Sequence, residues 1–160
     1  LRQRGIQADH IHQHPESHSG GRAKGRTALV VLQTLTKTTQ TRFHELMEGL
    51  RNKVTGTTAI VIVGPNGVID HLAADSPLDM DAFAGEYATL LRIARRTSSD
   101  VGTGDLLEHI LVSEKSVIIA RNISADYFLI LVAGDRDQLG RARYELKKAC
   151  WDLAKILVVF

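Results

Sequence analysis

The chain has 160 residues, 44% of them apolar, one cysteine and a net charge of +2. That size fits one ordinary domain, no apolar run approaches the roughly 18 to 20 residues that cross a bilayer, and a lone cysteine excludes an intrachain disulfide. Residues 1–28 carry a net +3 and the rest a net −1, so the folded part makes no case for nucleic acid.

Residues 1–40 are expected to be a disordered or loosely docked extension, and residues 41–160 the folded domain. The first 27 positions hold almost no large apolar side chains to offset the entropy of ordering. Residues 28–41, "ALVVLQTLTKTTQT", are ambiguous, and their Thr-rich half reads as a connector. The missing initiator and the apolar end "ILVVF" suggest a trimmed chain, and no signal-peptide core is visible. From Thr41, a candidate cap, Phe43, Leu46, Met47, Leu50 and Val54 recur at helical spacing, and Gly56 stops them. "TTAIVIV", a Gly-Pro-Asn-Gly turn and "VIDHLA" then form a hairpin.

After Pro77, Asp79 or Asp81 can cap a second helix carrying Met80, Phe83, Ala84, Tyr87, Leu90, Leu91 and Ala94, which "TSSDVGTGD" breaks. Three strands follow, roughly "LLEHILVS", "SVIIARNI" and "DYFLILVA", joined by turns short enough to force antiparallel pairing. A long amphipathic helix, "DRDQLGRARYELKKACWDLAKIL", closes the chain. The order α-β-β-α-β-β-β-α gives an α+β fold: a five-stranded antiparallel sheet covered by helices. Alternating βα units are missing, which argues against a nucleotide-binding doubly wound fold.

Chemistry-bearing patterns are sparse. His10, His12 and His14 alternate, with His18 nearby; an extended segment could gather zinc, nickel or copper there, but nothing completes a closed site, so no metal is expected. "GPNG" lacks the Lys-Ser/Thr ending of a phosphate loop and "GTGD" precedes a strand, so turn chemistry explains both and no cofactor is expected. Cys150 falls on the apolar face of the last helix, where a packed thiol is expected rather than a nucleophile. His44, His71 and His109 are scattered, and His109, alternating with Leu107 and Leu111, reads as a partly buried strand histidine. Asn122 opens an "NIS" acceptor triplet with no secretory signal to support it. No catalytic set emerges.

Arg92, Arg95 and Arg96 make a basic end to the second helix, and "GRARYELKKA" a larger basic stripe on the third. These read as solvated faces or as docking surfaces for an acidic partner. The basic residues are read as lacking interleaved aromatics, which argues further against nucleic acid.

Element order and local strings together resemble the Roadblock family, the dynein light chains and bacterial MglB-type proteins. The match runs from near Phe43 to about Leu157. It is carried by "FLILVAGDRDQLGRARYELKKACWDLAKIL", with Leu139-Gly140, Arg143 and Lys147-Lys148, and by "AIVIVGPNGVI" as the opening hairpin. The resemblance implies a profilin-like sheet with the second helix on one face and the first and third on the other. It also implies a homodimer in which the second helix and third strand of two subunits meet. By element, that seam would use Phe83, Tyr87, Leu90, Leu91 and Ala94, with Leu107, His109 and Leu111, and Arg92, Arg95 and Arg96 would be available for docking. It further implies a cytoplasmic, non-enzymatic adaptor for a small Ras-like GTPase, for another Roadblock-type protein or for motility and polarity machinery. In the MglB branch the dimer stimulates its GTPase without inserting an arginine of its own. A ligand-sensing domain of PAS or GAF type is the alternative, and it would need a cavity with convergent polar groups.

Overall fold

The computed structural model describes residues 21–73, 78–134 and 136–157. In chain order these form α1 (Gly21–Lys53), β1 (Thr57–Gly64), β2 (Gly67–Ala73), α2 (Met80–Asp100), β3 (Glu108–Val112), β4 (Val117–Ser124), β5 (Tyr127–Ala133), a 3-10 turn (Arg136–Gln138) and α3 (Leu139–Leu157). The strands make one antiparallel sheet in the order β2-β1-β5-β4-β3. This is the architecture expected from the sequence. The chain divides after Leu35 into two units. In the first, residues 21–35 are helical; the second, from Thr36, holds the sheet and its covering helices.

The central position of β1 and β5 follows from their composition. Both are nearly continuous aliphatic runs, which suit a strand buried on its two faces, and Ala59–Val63 and Phe128–Ala133 are all buried. Successive side chains then part to opposite faces. Ile60, Ile62, Ile119, Leu129 and Leu131 meet Phe43, Met47, Leu50 and Val54 from the first helix and its exit, and Leu146, Cys150 and Leu153 from α3. Ala59, Val61, Val63, Ala120, Ile130 and Val132 meet Met80, Ala84, Tyr87 and Leu91 of α2. One helix therefore covers one face and two cover the other.

Asp79 caps α2: its carboxylate accepts from the backbone N–H of Asp81 at 3.1 Å and of Ala82 at 3.2 Å. Asp81 sits in the first turn, where the helix dipole favours a negative charge. Asp79→Ala is expected to cost about 1 kcal/mol, read as a lower urea midpoint with unchanged slope.

Three expectations are corrected. The first helix begins by Gly21, not at Thr41. Thr41 is interior and donates its hydroxyl to the Lys37 carbonyl at 2.9 Å, as Thr34 does to Val30. The back-bond gives each hydroxyl a partner inside the helix, so a threonine-rich stretch that reads as a connector by propensity alone is helical here. Residues 21–40 are thus helical, while residues 1–20 lie outside the described residues. Likewise α2 runs through the first part of "TSSDVGTGD" and ends inside that cluster, at Asp100. Thr97 donates to Ile93 at 3.0 Å and Ser98 to the Gly104 carbonyl at 2.6 Å, so the hydroxyls tie down the helix end. Finally, α3 proper starts at Leu139, after the 3-10 turn.

The glycines of the β1–β2 turn answer to sterics. A Cβ on Gly64 would lie 2.9 Å from the Tyr127 ring, and Gly67 has a φ of +120° that side-chain-bearing residues avoid.

Candidate interaction surface

The sheet has two open edges, and they differ. At the β2 edge the register jumps from Val63↔Val68 to Ile62↔Asp70, skipping Ile69. Such a bulge twists an edge away from regular pairing. At the β3 edge the register to β4 is unbroken over Glu108–Val112. Asn122 donates its N–H to the Leu107 carbonyl and Ser113 to the Ser116 carbonyl. Antiparallel pairs alternate, so Leu107, His109, Leu111 and Ser113 turn their backbone groups toward β4. Glu108, Ile110 and Val112 therefore turn theirs outward. The strand ends in exposed apolar residues, Leu107 at 65% and Val112 at 55%.

α2 packs against β2 and β1 and reaches this edge through Tyr87. The Tyr87 hydroxyl lies 3.1 Å from His109 Nδ1, with the two rings edge to face, and Phe83 stacks on Tyr87 at 5.5 Å. Of the expected seam residues, Tyr87 and Leu91 are buried in the subunit's own core. Phe83, Leu90, Ala94, His109 and Leu111 are half-buried, and Leu107 is exposed. The structure thus brings Phe83, Tyr87 and His109 together and spends Tyr87 and Leu91 on internal packing. Ile93 of α2, 60% exposed, lies between the apolar positions of the inner stripe.

No family model and no curated protein matches the chain by sequence. Solved structures do. An MglB in a tetrameric arrangement superposes with a TM-score of 0.68 at 20% identity, over 74% of this chain and 89% of that one. A Roadblock/LC7 domain from Streptomyces avermitilis gives 0.63 at 22%, over 71% and 95%. MglC from Myxococcus xanthus is 30% identical over 74% of this chain and 98% of its own, with a TM-score of 0.51. The chain belongs to the Roadblock family.

In this Roadblock domain the three α2 arginines have different surroundings. Arg95 is held by Asp126 and lies 5.8 Å over the Phe128 ring. Arg96 reaches Asp100 at 3.5 Å with most of its side chain in solvent. Arg92 lines a cleft of about 280 Å³ with Arg95, Asp126, Phe128 and the Gly64-Pro65 turn. The structure therefore brings Arg92 and Arg95 together and leaves Arg96 to the side.

Glu108 was not singled out from sequence. Its carboxylate, 11% exposed, bridges Arg121 of β4 at 2.8 Å and Arg143 of α3 at 2.6 Å. The signal was present: an acid inside an aliphatic strand needs a partner. Cys150 is buried as expected, and burial pushes its thiol up to about 12, against a smaller pull from Arg121 and with a small push from Glu108. Burial likewise pushes Tyr87 up to about 12. Both groups keep their protons in the folded state after the unfolded chain has lost them. Stability should therefore be full below the ordinary values of 9.0 and 10.0 and decline as pH rises toward 12. The urea midpoint is expected to fall between pH 9 and 11, and Cys150→Ala to flatten part of that fall.

The remaining motifs resolve structurally. Asn122 donates its side-chain amide to the Ala125 carbonyl at 3.0 Å, closing the β4–β5 turn. His44 and His71 lie on α1 and β2, away from His109 on β3. No group of three metal-ligating side chains occurs among the described residues, and the histidines at 10, 12, 14 and 18 fall outside them. No described helix is long and apolar enough to cross a membrane. The reading of the basic stripe on α3 is corrected: Tyr144 and Trp151, both exposed, do interleave with Lys147 and Lys148.

Proposed function

We propose that this Roadblock domain is a non-enzymatic homodimeric adaptor that binds and regulates a small Ras-like GTPase or a complex serving motility or polarity. The supporting observation is the β3 edge: a regular, apolar-ended strand whose outward backbone groups call for another strand, reached from α2 by Tyr87. A second copy satisfies it symmetrically. The antiparallel register that uses all three outward residues sets Ile110 against its own copy and Glu108 against the partner's Val112. Phe83, Leu90, Ile93 and Ala94 of the two α2 helices would then close over the joined strands.

The similar proteins favour such a role. One is described as an MglB in a tetrameric arrangement and another, from Thermus thermophilus, as a gliding protein. Arg92 and Arg95, beside their cleft, offer an acidic partner a first point of attachment. The ligand-sensing alternative has no support, because apolar helix side chains fill both sheet faces.

Pull-down with GTP- and GDP-loaded small GTPases encoded beside this gene tests the assignment. Nucleotide-dependent retention is expected, weakened by Arg92→Glu. Equal and negligible recovery of both forms would remove the GTPase role and leave scaffolding.

A further inference from the structure

Helix α3 is apolar on two sides, and the core uses only one. Its inner side, including Leu146, Cys150 and Leu153, is buried against the sheet. On its outer side Tyr144 and Trp151 stand 60% and 64% exposed. Their seven-residue spacing is two helical turns, so the rings share one stripe about 10 Å apart. Lysines interleave with them. Lys147 Nζ lies 5.7 Å from the Trp151 ring centre and Lys148 Nζ 5.2 Å from that of Tyr144. With Asp152 and Lys155 these residues line an open hollow of about 520 Å³. Folding does not require two large aromatics in water, and pairs of this kind mark surfaces that meet something.

We propose that this face of α3 docks an acidic segment of another protein, its apolar side chains set between Tyr144 and Trp151 and its carboxylates on Lys147, Lys148 and Lys155. Charge selects the occupant. Three lysines and one aspartate line the hollow; Lys155 pairs with Asp152 at 3.7 Å and Lys148 with the buried Glu145 at 3.7 Å, so the lining stays net cationic, and an ammonium that faces a ring or one carboxylate still has hydrogens to donate to another. Residues 1–28 of the chain itself carry a net +3, the wrong sign. A second copy set face to face would oppose lysines to lysines. Nucleic acid would meet Asp152 within the hollow and a folded part with a net charge of −1. The site lies on the sheet face opposite α2, so it stands whether or not the β3 seam forms.

Trp151 is the only tryptophan in the chain, and its emission therefore reports on this surface alone. The full chain is titrated with a synthetic helical peptide of glutamates and leucines, with the same peptide carrying glutamine for glutamate, with a thymidine oligonucleotide and with phosphatidylserine vesicles. A saturable blue shift is expected with the glutamate peptide, and binding weaker by roughly tenfold or more with the glutamine peptide. The Lys147→Glu/Lys148→Glu variant, checked for its fold by circular dichroism, is expected to lose binding to a similar degree. No shift with the glutamate peptide, equal binding of both peptides, or a response confined to the oligonucleotide or the vesicles would overturn the proposal.

Discussion

Replacing Leu90 with arginine, or Val112 with proline, is expected to convert a particle of twice 17.6 kDa into one of 17.6 kDa, read by light scattering at micromolar concentration. The two substitutions act on different terms. Leu90 is half-buried one turn from Tyr87, whose hydroxyl reaches His109 of β3; an arginine there would be taken out of water without a counter-charge in the proposed seam. Such a penalty, on the order of 3 kcal/mol, weakens association more than a hundredfold. Proline at position 112 removes an N–H that points away from β4, so the subunit's own ladder keeps its bonds while the partner strand loses one. A wild-type chain that is already monomeric would sink the seam, and two variants that still weigh as dimers would move it elsewhere.

Leu131→Ala should unfold the protein far more readily, by about 3 to 5 kcal/mol in urea. Leu131 is fully buried on the central strand, opposite Ile60 on one side and Ile119 on the other, themselves fully buried. Backbone pairing on both flanks restrains collapse around the void. With total stabilities near 5 to 15 kcal/mol, a loss of that size takes a large share. Val101→Ala, on an exposed residue outside the proposed seam, is the control and should leave stability within about 0.5 kcal/mol. If both cost the same, the core is not where the structure places it.

Most of the fold could be read in advance because its signals are periodic. Strand runs such as "TTAIVIV" and "YFLILVA" are too short and too β-branched for helices, and the apolar spacing of α2 and α3 fits nothing else. What escaped was local chemistry that competes with propensity. Thr34, Thr41 and Thr97 look like helix breakers until their hydroxyls are seen bonded four residues back. The interaction surface was legible by element and not by residue. Helical spacing identifies Tyr87, Leu90 and Leu91 together, but which of them faces the sheet depends on how α2 is rotated, and that is set by packing. Glu108 and its two arginines come from three separate elements, so no local pattern reveals them. Tyr144 and Trp151 stand among lysines off the inner stripe of α3, so the helical period that marks the core does not mark them.

The bulge opposite Ile62 and Val63 bears on what happens after two subunits join. A pair fused through β3 would present β2 at both outer ends, and each end would carry the skipped Ile69, the turn glycine Gly67 and the polar Asp70 and His71. Such a rim is a poor template for a further strand. Growth along the hydrogen-bonding direction would halt at a finite particle, so a sheet that invites one neighbour need not seed a fibre.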